Sequence, residues 1–126
     1  MIPITIIGAG IAGLACARRL TQAGLAPILL DKGRGIGGRV ATRRVDAMQF
    51  DHGAQYVTAR TPSFAAVLEG LQTAGALVDW PDDNGHHRSV GRPGMSSLAK
   101  AMGQGLDIRQ GVQVTRVTQT HSGWDL

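Results

Sequence analysis

The chain has 126 residues, a formal charge of +4, 43% hydrophobic residues and 4% aromatic residues. This length allows one domain with a modest core. The positive charge suits a nucleic-acid partner, but the few aromatic residues and the lack of a zinc motif or a long Lys/Arg run exclude the common nucleic-acid modules. An anionic dinucleotide is the simpler explanation of this charge.

The sequence also excludes a membrane span and indicates a compartment. No run approaches the ~20 apolar residues that a spanning helix needs. The apolar N-terminus lacks the basic region of a signal peptide. The single cysteine, Cys16, excludes an internal disulfide and is predicted to pack among small residues on a helix. We therefore expect a cytoplasmic protein.

Residues 4–31 follow the pattern of a dinucleotide-binding βαβ unit. The apolar run Ile4–Ile7 predicts a strand buried on both faces. A helix ending near Gly24 and a second strand at Ile28–Leu30 are predicted after it. Between the first strand and the helix lie three glycines with the spacing G-x-G-x-x-G: Gly8, Gly10 and Gly13.

Each of these glycines has a physical role. Gly8 permits the sharp exit from the strand, and Gly10 lets a phosphate approach the backbone because it has no Cβ. Gly13, helped by the small Ala17, lets the helix pack close to the strand. The N–H groups and partial positive charge of the helix N-terminus then favour a pyrophosphate. The candidate site therefore includes the backbone between the glycines, at Ala9, Ile11 and Ala12.

Asp31 ends the second predicted strand. A carboxylate at this place accepts hydrogen bonds from both hydroxyls of an adenosine ribose, and its charge disfavours a 2′-phosphate. A directly bound nucleotide of the NADP type is therefore not expected. Lys32 follows at once and is included in the candidate site. Three arginines farther on are predicted to form a solvated basic loop: Arg34, Arg43 and Arg44.

A second glycine-rich block indicates which dinucleotide is bound. A nicotinamide dehydrogenase does not need the run Gly37-Gly38-Arg39 that follows the ribose acid. The run resembles the glycine-doublet motif of FAD-dependent oxidoreductases in the flavin amine-oxidase group. This resemblance implies that Gly37 and Gly38 pass close to the cofactor and that Arg39 lies near its diphosphate. Gly35 stands where many members carry an arginine.

A third block narrows the resemblance. The run FDHGAQYVTAR at residues 50–60, taken with DKGRGIGGRVATRR at 31–44 and PGMS at 93–96, resembles bacterial renalase-like flavoproteins. The resemblance implies non-covalently bound FAD and a backbone contact between its adenine and Val114. It also implies that four residues lie beside the flavin: Gly53, Ala54, Gln55 and Tyr56.

Other polar residues receive ordinary roles. Asp51 is predicted to be a turn or capping residue, and His52 a hydrogen-bonded side chain rather than a base. The turn-rich connector at Trp80–Gly85 and the adjacent His86 and His87 match no ligand spacing, so no metal site is predicted. No catalytic residue is assigned.

Two further helices and two strands are predicted. Residues 62–74 form an amphipathic helix capped by Thr61, and residues 94–103 form a helix for which Ser96 is the preferred cap. The first of these helices turns an apolar stripe to the core: Phe64, Val67, Leu68 and Leu71. The strands are predicted at Leu106–Arg109 and Val112–Val117.

These patterns predict an α/β fold, with a Rossmann-like FAD-binding βαβ unit, parallel strands and the start of a β-meander. Residues 1–60 are predicted to form the nucleotide-binding core, 61–105 a helical insertion toward a substrate domain, and 106–126 a hairpin segment. The last three residues follow a hairpin turn and predict an unfinished strand. We therefore expect the N-terminal part of a longer flavoprotein, inactive by itself.

The resemblance to renalase implies a reaction. An isomeric dihydro-NAD(P) would give a hydride to the flavin, and reoxidation by O₂ would yield H₂O₂ and NAD(P)⁺. Two alternatives stay open: a flavin amine oxidase of the same superfamily, and a non-catalytic dinucleotide-binding fragment. The expected partners are O₂ and a small-molecule substrate, either a dihydronicotinamide nucleotide or an amine, without nucleic acid or membrane. The oligomeric state is not predicted.

Overall fold

The computed structural model describes residues 3–126 and places a small parallel sheet beside three helices. In chain order the strands are β1 (Ile4–Ile7), β2 (Pro27–Asp31), β3 (Thr42–Val45), β4 (Met48–Asp51), β5 (Leu77–Pro81), β6 (His87–Gly91), β7 (Asp107–Gln110), β8 (Thr118–Gln119) and β9 (Trp124–Asp125). The helices are α1 (Ile11–Gln22), α2 (Pro62–Thr73) and α3 (Ser96–Gly103), with a short 3-10 helix at Gly38–Val40.

Strands β1, β2 and β7 form the parallel sheet, with β2 in the middle. Leu29 of β2 pairs with Ile6 on one side and with Ile108 on the other. The remaining strands form antiparallel hairpins, β3 with β4, β5 with β6 and β8 with β9. The predicted α/β fold with parallel strands is confirmed, because helix α1 crosses from β1 to its parallel neighbour β2.

Strand β1 is covered on one face. Ile6 packs against the core, whereas Ile7 is 54% exposed. The prediction of a strand buried on both faces is therefore wrong for the part of the chain that the structure describes. A short apolar run does not by itself tell one covered face from two.

The core lies where the sheet meets helices α1 and α3. Its largest fully buried side chains are Leu14, Leu29, Met95 and Leu98. Arg18 joins the two helices, because its guanidinium donates to carbonyl oxygens at the end of α3, including that of Met102 at 2.7 Å. These bonds satisfy carbonyls that a helix C-terminus leaves without intrahelical partners.

Helices α1 and α2 have the predicted ends. Gly24 follows α1 with φ +81°, the left-handed conformation that favours glycine after a helix. Thr61 Oγ1 accepts the Phe64 N–H at 3.4 Å at the start of α2. Val67 departs from the predicted core stripe, since it is 41% exposed. None of the helices within residues 3–126 is long and apolar enough to cross a bilayer.

Helix α3 is capped from the β3–β4 hairpin. Asp51 Oδ1 accepts the Met95 N–H at 3.0 Å, and Thr42 Oγ1 accepts the Ser96 N–H at 3.0 Å. The capping role predicted for Asp51 is confirmed. The prediction that Ser96 caps the helix is wrong, because Ser96 is already the first helical residue and donates to an oxygen supplied by another element.

The segment at residues 112–117 is not a strand, contrary to the prediction. Gly111 donates its N–H to Gly33 O at 3.0 Å, and Val112 donates to Asp31 O at 2.9 Å. The chain after β7 is therefore attached to the loop that follows β2. An apolar alternation does not specify a strand when the backbone groups find partners elsewhere.

Other placements also differ from the predictions. Trp80 lies in β5, paired with Arg88 of β6, rather than in a connector. Arg43 and Arg44 lie in β3 rather than in a loop. Cys16 is exposed on α1, so its predicted packing role is wrong, because α1 turns a different side to the core.

Candidate dinucleotide-binding site

The turn between β1 and α1 opens the N-terminus of α1. Gly8 has φ +98°, which a residue with a Cβ rarely adopts, and its N–H donates to Leu30 O at 2.7 Å. Gly10 precedes α1, and no side chain caps the helix there. A Cβ built on Gly10 meets no atom within 4 Å. The first N–H groups of α1 therefore face open space, as an anion site requires.

Gly13 brings the helix against the turn. A Cβ built on it would lie 2.0 Å from the carbonyl oxygen of Gly8, closer than any real contact. Ala17, one turn later, and Ala9 are fully buried. The predicted close approach of helix and strand is confirmed. Gly13 is therefore needed for helix packing, whereas the lack of a side chain at Gly10 leaves open space at the helix N-terminus.

Asp31 connects the two loops at the carboxyl ends of β1 and β2. Its Oδ2 accepts the Ala9 N–H at 2.6 Å, and its Oδ1 accepts the Gly33 N–H at 2.7 Å. A carboxylate has about four acceptor positions, so each oxygen retains one for a ligand hydroxyl. The ribose role predicted for Asp31 is thus compatible with a second, structural role that the sequence analysis missed. The sequence signal for this role was Gly33, because an aspartate often accepts a hydrogen bond from the backbone N–H two residues later.

Replacing Asp31 with asparagine is expected to lower the free energy of unfolding by about 1–3 kcal/mol. The amide would present a donor to either Ala9 N–H or Gly33 N–H, leaving that group without its acceptor. Urea unfolding followed by circular dichroism measures the loss. Asp46→Asn is the matched control, because Asp46 lies in an exposed turn at φ 53°, which asparagine tolerates. Equal losses in the two variants would contradict the bridging role.

The glycine doublet lies directly against the β1–α1 turn. Gly37 donates its N–H to Ala9 O at 2.9 Å and forms a parallel bridge with Gly10. Both doublet residues have positive φ, +115° at Gly37 and +55° at Gly38. A Cβ on Gly38 would lie 3.6 Å from Gly10 Cα. Two glycine-rich segments therefore meet at one place through their backbones.

The third block is joined to the second in the same way. Ala54 donates its N–H to Arg39 O at 2.8 Å. A Cβ built on Gly53 would lie 2.0 Å from that same oxygen, so the backbones approach each other as closely as they do at Gly13. The three predicted motif segments thus form one continuous backbone surface.

A cleft of about 470 Å³, the dinucleotide cleft, opens beside this surface. It brings together predicted site residues from four segments of the chain: Gly8, Asp31, Lys32, Gly38 and Val114. Its lining also includes Val112 and Gln113, which the sequence analysis did not assign to the site. The attachment of Val112 to Asp31 O holds this segment at the cleft.

The other predicted residues lie around the dinucleotide cleft or apart from it. Ala9, Gly10, Ile11 and Ala12 form the turn and the start of α1, and Arg39 is exposed in the short 3-10 helix. Gln55 belongs to a second cleft of about 500 Å³, with Gln49, Phe50, Asp51, Trp80, Val90 and Gly91. A larger groove of about 960 Å³ between the three helices has none of the predicted site residues in its lining.

Asp82 pairs with His86 and Arg88 in the β5–β6 hairpin that carries Trp80. The Asp82 carboxylate accepts the His86 N–H, which is the main cause that lowers the pKa of Asp82, and it lies 3.1 Å from the Arg88 guanidinium. Arg88 also lies 4.8 Å from the centre of the Tyr56 ring. Within residues 3–126 no three His, Cys, Asp or Glu side chains are grouped as metal ligands.

The NAD(P)-binding Rossmann-like domain family matches residues 6–71, just over half of the chain. The chain therefore belongs to this family.

Individual relatives are similar over shorter stretches. A possible lysine-specific histone demethylase 1 of Drosophila melanogaster is 44% identical over 55 residues, which is 44% of this chain and 6% of that protein. Carotenoid 3,4-desaturase of Haloarcula japonica is 40% identical over 53 residues, 42% of this chain and 11% of that protein. A putrescine oxidase double mutant, from a redesign of cofactor binding, superposes with a TM-score of 0.53 at 27% identity. That match covers 71% of this chain and 21% of the oxidase, so the chain spans about a fifth or less of these relatives.

Proposed function

We propose that this chain binds FAD non-covalently and forms the cofactor half of a renalase-like FAD-dependent oxidoreductase. In this reaction an isomeric dihydro-NAD(P) gives a hydride to the flavin, and O₂ reoxidises it to yield H₂O₂ and NAD(P)⁺. The supporting observation is the continuous backbone surface of the three motif segments, joined by the bonds Gly37 N–H to Ala9 O and Ala54 N–H to Arg39 O.

The residues present fit FAD. The space at Gly10, which a Cβ would enter, lies at the N-terminus of α1, where a pyrophosphate would accept N–H bonds. The free acceptor positions of Asp31 suit the ribose hydroxyls, and Val114, which lines the dinucleotide cleft, suits the adenine. When bound, FAD would supply the capacity to accept a hydride and to pass electrons on to O₂, while the protein would supply position and electrostatics.

This reaction needs no strong base, because a dihydronicotinamide is already a hydride donor. The Asp51 carboxylate accepts from Thr42 Oγ1 and from the Met95 N–H, which gives it a structural role. What the protein must supply is a fixed position for the donor beside the flavin and exclusion of side reactions.

We propose that residues 1–60 form the nucleotide-binding core, that 61–105 lead toward a substrate domain, and that 106–126 begin a meander in a cytoplasmic protein. The short coverage of the relatives supports a catalytic half outside these residues.

A flavin amine oxidase is the second candidate. It is favoured by the superposition on putrescine oxidase, which covers 71% of this chain. In that case the substrate would be a small amine rather than a nucleotide, and the N-terminus of α1, Asp31 and the glycine doublet would hold FAD in the same way.

Anaerobic mixing of each substrate class with the FAD-loaded full-length protein, which includes the catalytic half proposed to lie outside these residues, separates the two candidates. We expect the 2- and 6-dihydronicotinamide isomers to bleach the flavin absorbance at one equivalent, and putrescine to leave it unchanged. Admission of O₂ should then restore the absorbance and produce one equivalent of H₂O₂. Bleaching by putrescine alone would overturn the renalase-like proposal in favour of an amine oxidase.

A further inference from the structure

The second cleft, which we name the aromatic cleft, holds exposed aromatic side chains. The chain has five Phe, Tyr and Trp residues, and three of them, Phe50, Tyr56 and Trp80, meet at this cleft with 44–49% of their surface exposed. Phe50 and Trp80 line the cleft directly. In a chain with so few aromatic residues, exposure of most of them at one place indicates a binding surface for a planar group.

The orientation of Trp80 is fixed by its neighbours. The Tyr56 ring meets the Trp80 ring edge to face, with centroids 6.2 Å apart. Arg88 lies over Tyr56 at 4.8 Å and is held by Asp82 at 3.1 Å. This chain of contacts holds Trp80 as a rigid wall, and a rigid aromatic wall loses little entropy when a ligand stacks on it.

Phe50 and Trp80, the two aromatic side chains that line the cleft, each have an arginine as their direct cross-strand partner. Arg43 of β3 pairs with Phe50 of β4, and Arg88 of β6 pairs with Trp80 of β5. Directly opposite residues of an antiparallel pair project on the same face of the hairpin. Arg43 therefore places positive charge beside Phe50, which favours a phosphate there. Arg88 is already paired with Asp82, and the Asp51 carboxylate lines the same cleft.

A side-chain amide completes the cleft. The side-chain amide of Gln49 already has partners within the protein, because it donates to Pro93 O at 2.6 Å and accepts from Arg44 at 3.2 Å. Gln55 lines the cleft from the block expected beside the flavin. An amide offers both a donor and an acceptor, the complement of a ring carboxamide.

We propose that the aromatic cleft binds the nicotinamide ring of a phosphate-bearing nicotinamide nucleotide, stacked on Trp80. Gln55 bonds the carboxamide, and Arg43 attracts the phosphate. The identity of this ligand rests on the proposed function, since the ring would be the hydride donor to the flavin. Apart from Gln55, which is expected beside the flavin, the residues of this site have no other role in the proposed reaction.

Tryptophan fluorescence tests this site, because the chain has only two tryptophans, Trp80 and Trp124. Oxidised nicotinamide mononucleotide is the probe, since it carries the ring and one phosphate but no adenine and does not absorb where tryptophan emits. In Trp124→Phe we expect saturable quenching of at least about half of the emission, because contact with the ring quenches a stacked indole. In Trp80→Phe, the matched variant, the remaining emission of Trp124 should not respond, and calorimetry should show at least tenfold weaker binding of the probe.

Three controls define the site. AMP, which suits the dinucleotide cleft, should neither quench Trp80 nor displace the probe, and putrescine should not quench it. Arg43→Gln should weaken probe binding about tenfold at low salt, with a smaller effect at high salt. Should Trp80→Phe fail to fold, as judged by circular dichroism, Phe50→Leu must weaken probe binding with Trp80 still present.

Equal quenching in the two tryptophan variants, displacement by AMP, or quenching by putrescine would overturn the proposal. Its failure is distinguishable from failure of the proposed function. Flavin bleaching by dihydronicotinamides without a Trp80 response would overturn this site and leave the reaction standing. A Trp80 response without flavin bleaching would support the site and overturn the reaction.

Discussion

Replacing Gly13 with alanine is expected to lower the free energy of unfolding by at least about 2 kcal/mol. The new Cβ would lie 2.0 Å from the carbonyl oxygen of Gly8, which is backbone and has no rotamer to adopt. Helix α1 must therefore move away from the turn, and its buried contacts through Leu14 and Ala17 loosen with it. The intrinsic gain of alanine over glycine in a helix, about 1 kcal/mol, offsets only part of this cost. Urea denaturation followed by circular dichroism measures the change.

Gly70→Ala is the matched control for this substitution. Gly70 also lies within a helix, α2, but it is exposed and a Cβ built on it meets no atom within 4 Å. This variant should gain up to about 1 kcal/mol, so the same chemical change has opposite signs at the two positions. A Gly13→Ala protein as stable as wild type would show that the helix and the turn are not in close contact.

Replacing Gly10 with valine is expected to weaken FAD binding by at least about 100-fold, or about 2.7 kcal/mol. Gly10 has φ −75° and ψ 177°, an extended conformation that valine readily adopts, and the space around its Cα is open. The side chain would fill the position of the pyrophosphate without disturbing the fold. Titration of FAD fluorescence against the protein gives the dissociation constant, and thermal unfolding checks that the variant remains folded.

The control is Ala15→Val, which adds the same branched side chain to the exposed side of the same helix, away from the dinucleotide cleft. It should bind FAD as wild type does. Valine before the helix costs about 1 kcal/mol of stability, much less than the expected loss of affinity. Unchanged FAD affinity in Gly10→Val would count against a pyrophosphate at this helix and therefore against the assignment of the cofactor.

The glycine roles were predictable because their physical demands are local. A sharp turn, an open helix N-terminus and a close helix packing each depend on a few consecutive residues, so Gly8, Gly10 and Gly13 can be interpreted from spacing alone. The end of α1 at Gly24 and the cap of α2 at Thr61 follow from equally local chemistry.

The contacts that the sequence did not reveal are made between residues far apart in the sequence. Asp51 caps α3 across 44 positions, and Arg18 reaches the carbonyl of Met102 across 84 positions. A local pattern favoured Ser96 because a serine before a helix is a common cap, and nothing in the pattern indicated a competing oxygen from a hairpin. The aromatic cleft was missed for the same reason, because Phe50 and Trp80 come together only through the placement of two hairpins.

The double hydrogen bond of Asp31 affects how a nucleotide associates with the protein. Because Ala9 and Gly33 are already fixed to one carboxylate, the loops on both sides of the expected ribose position are ordered before any ligand arrives. Association then requires no loop to fold over the ligand, so little conformational entropy is lost in the bound state. The rate of capture should accordingly be set by diffusion and by the net positive charge, without a slow conformational step.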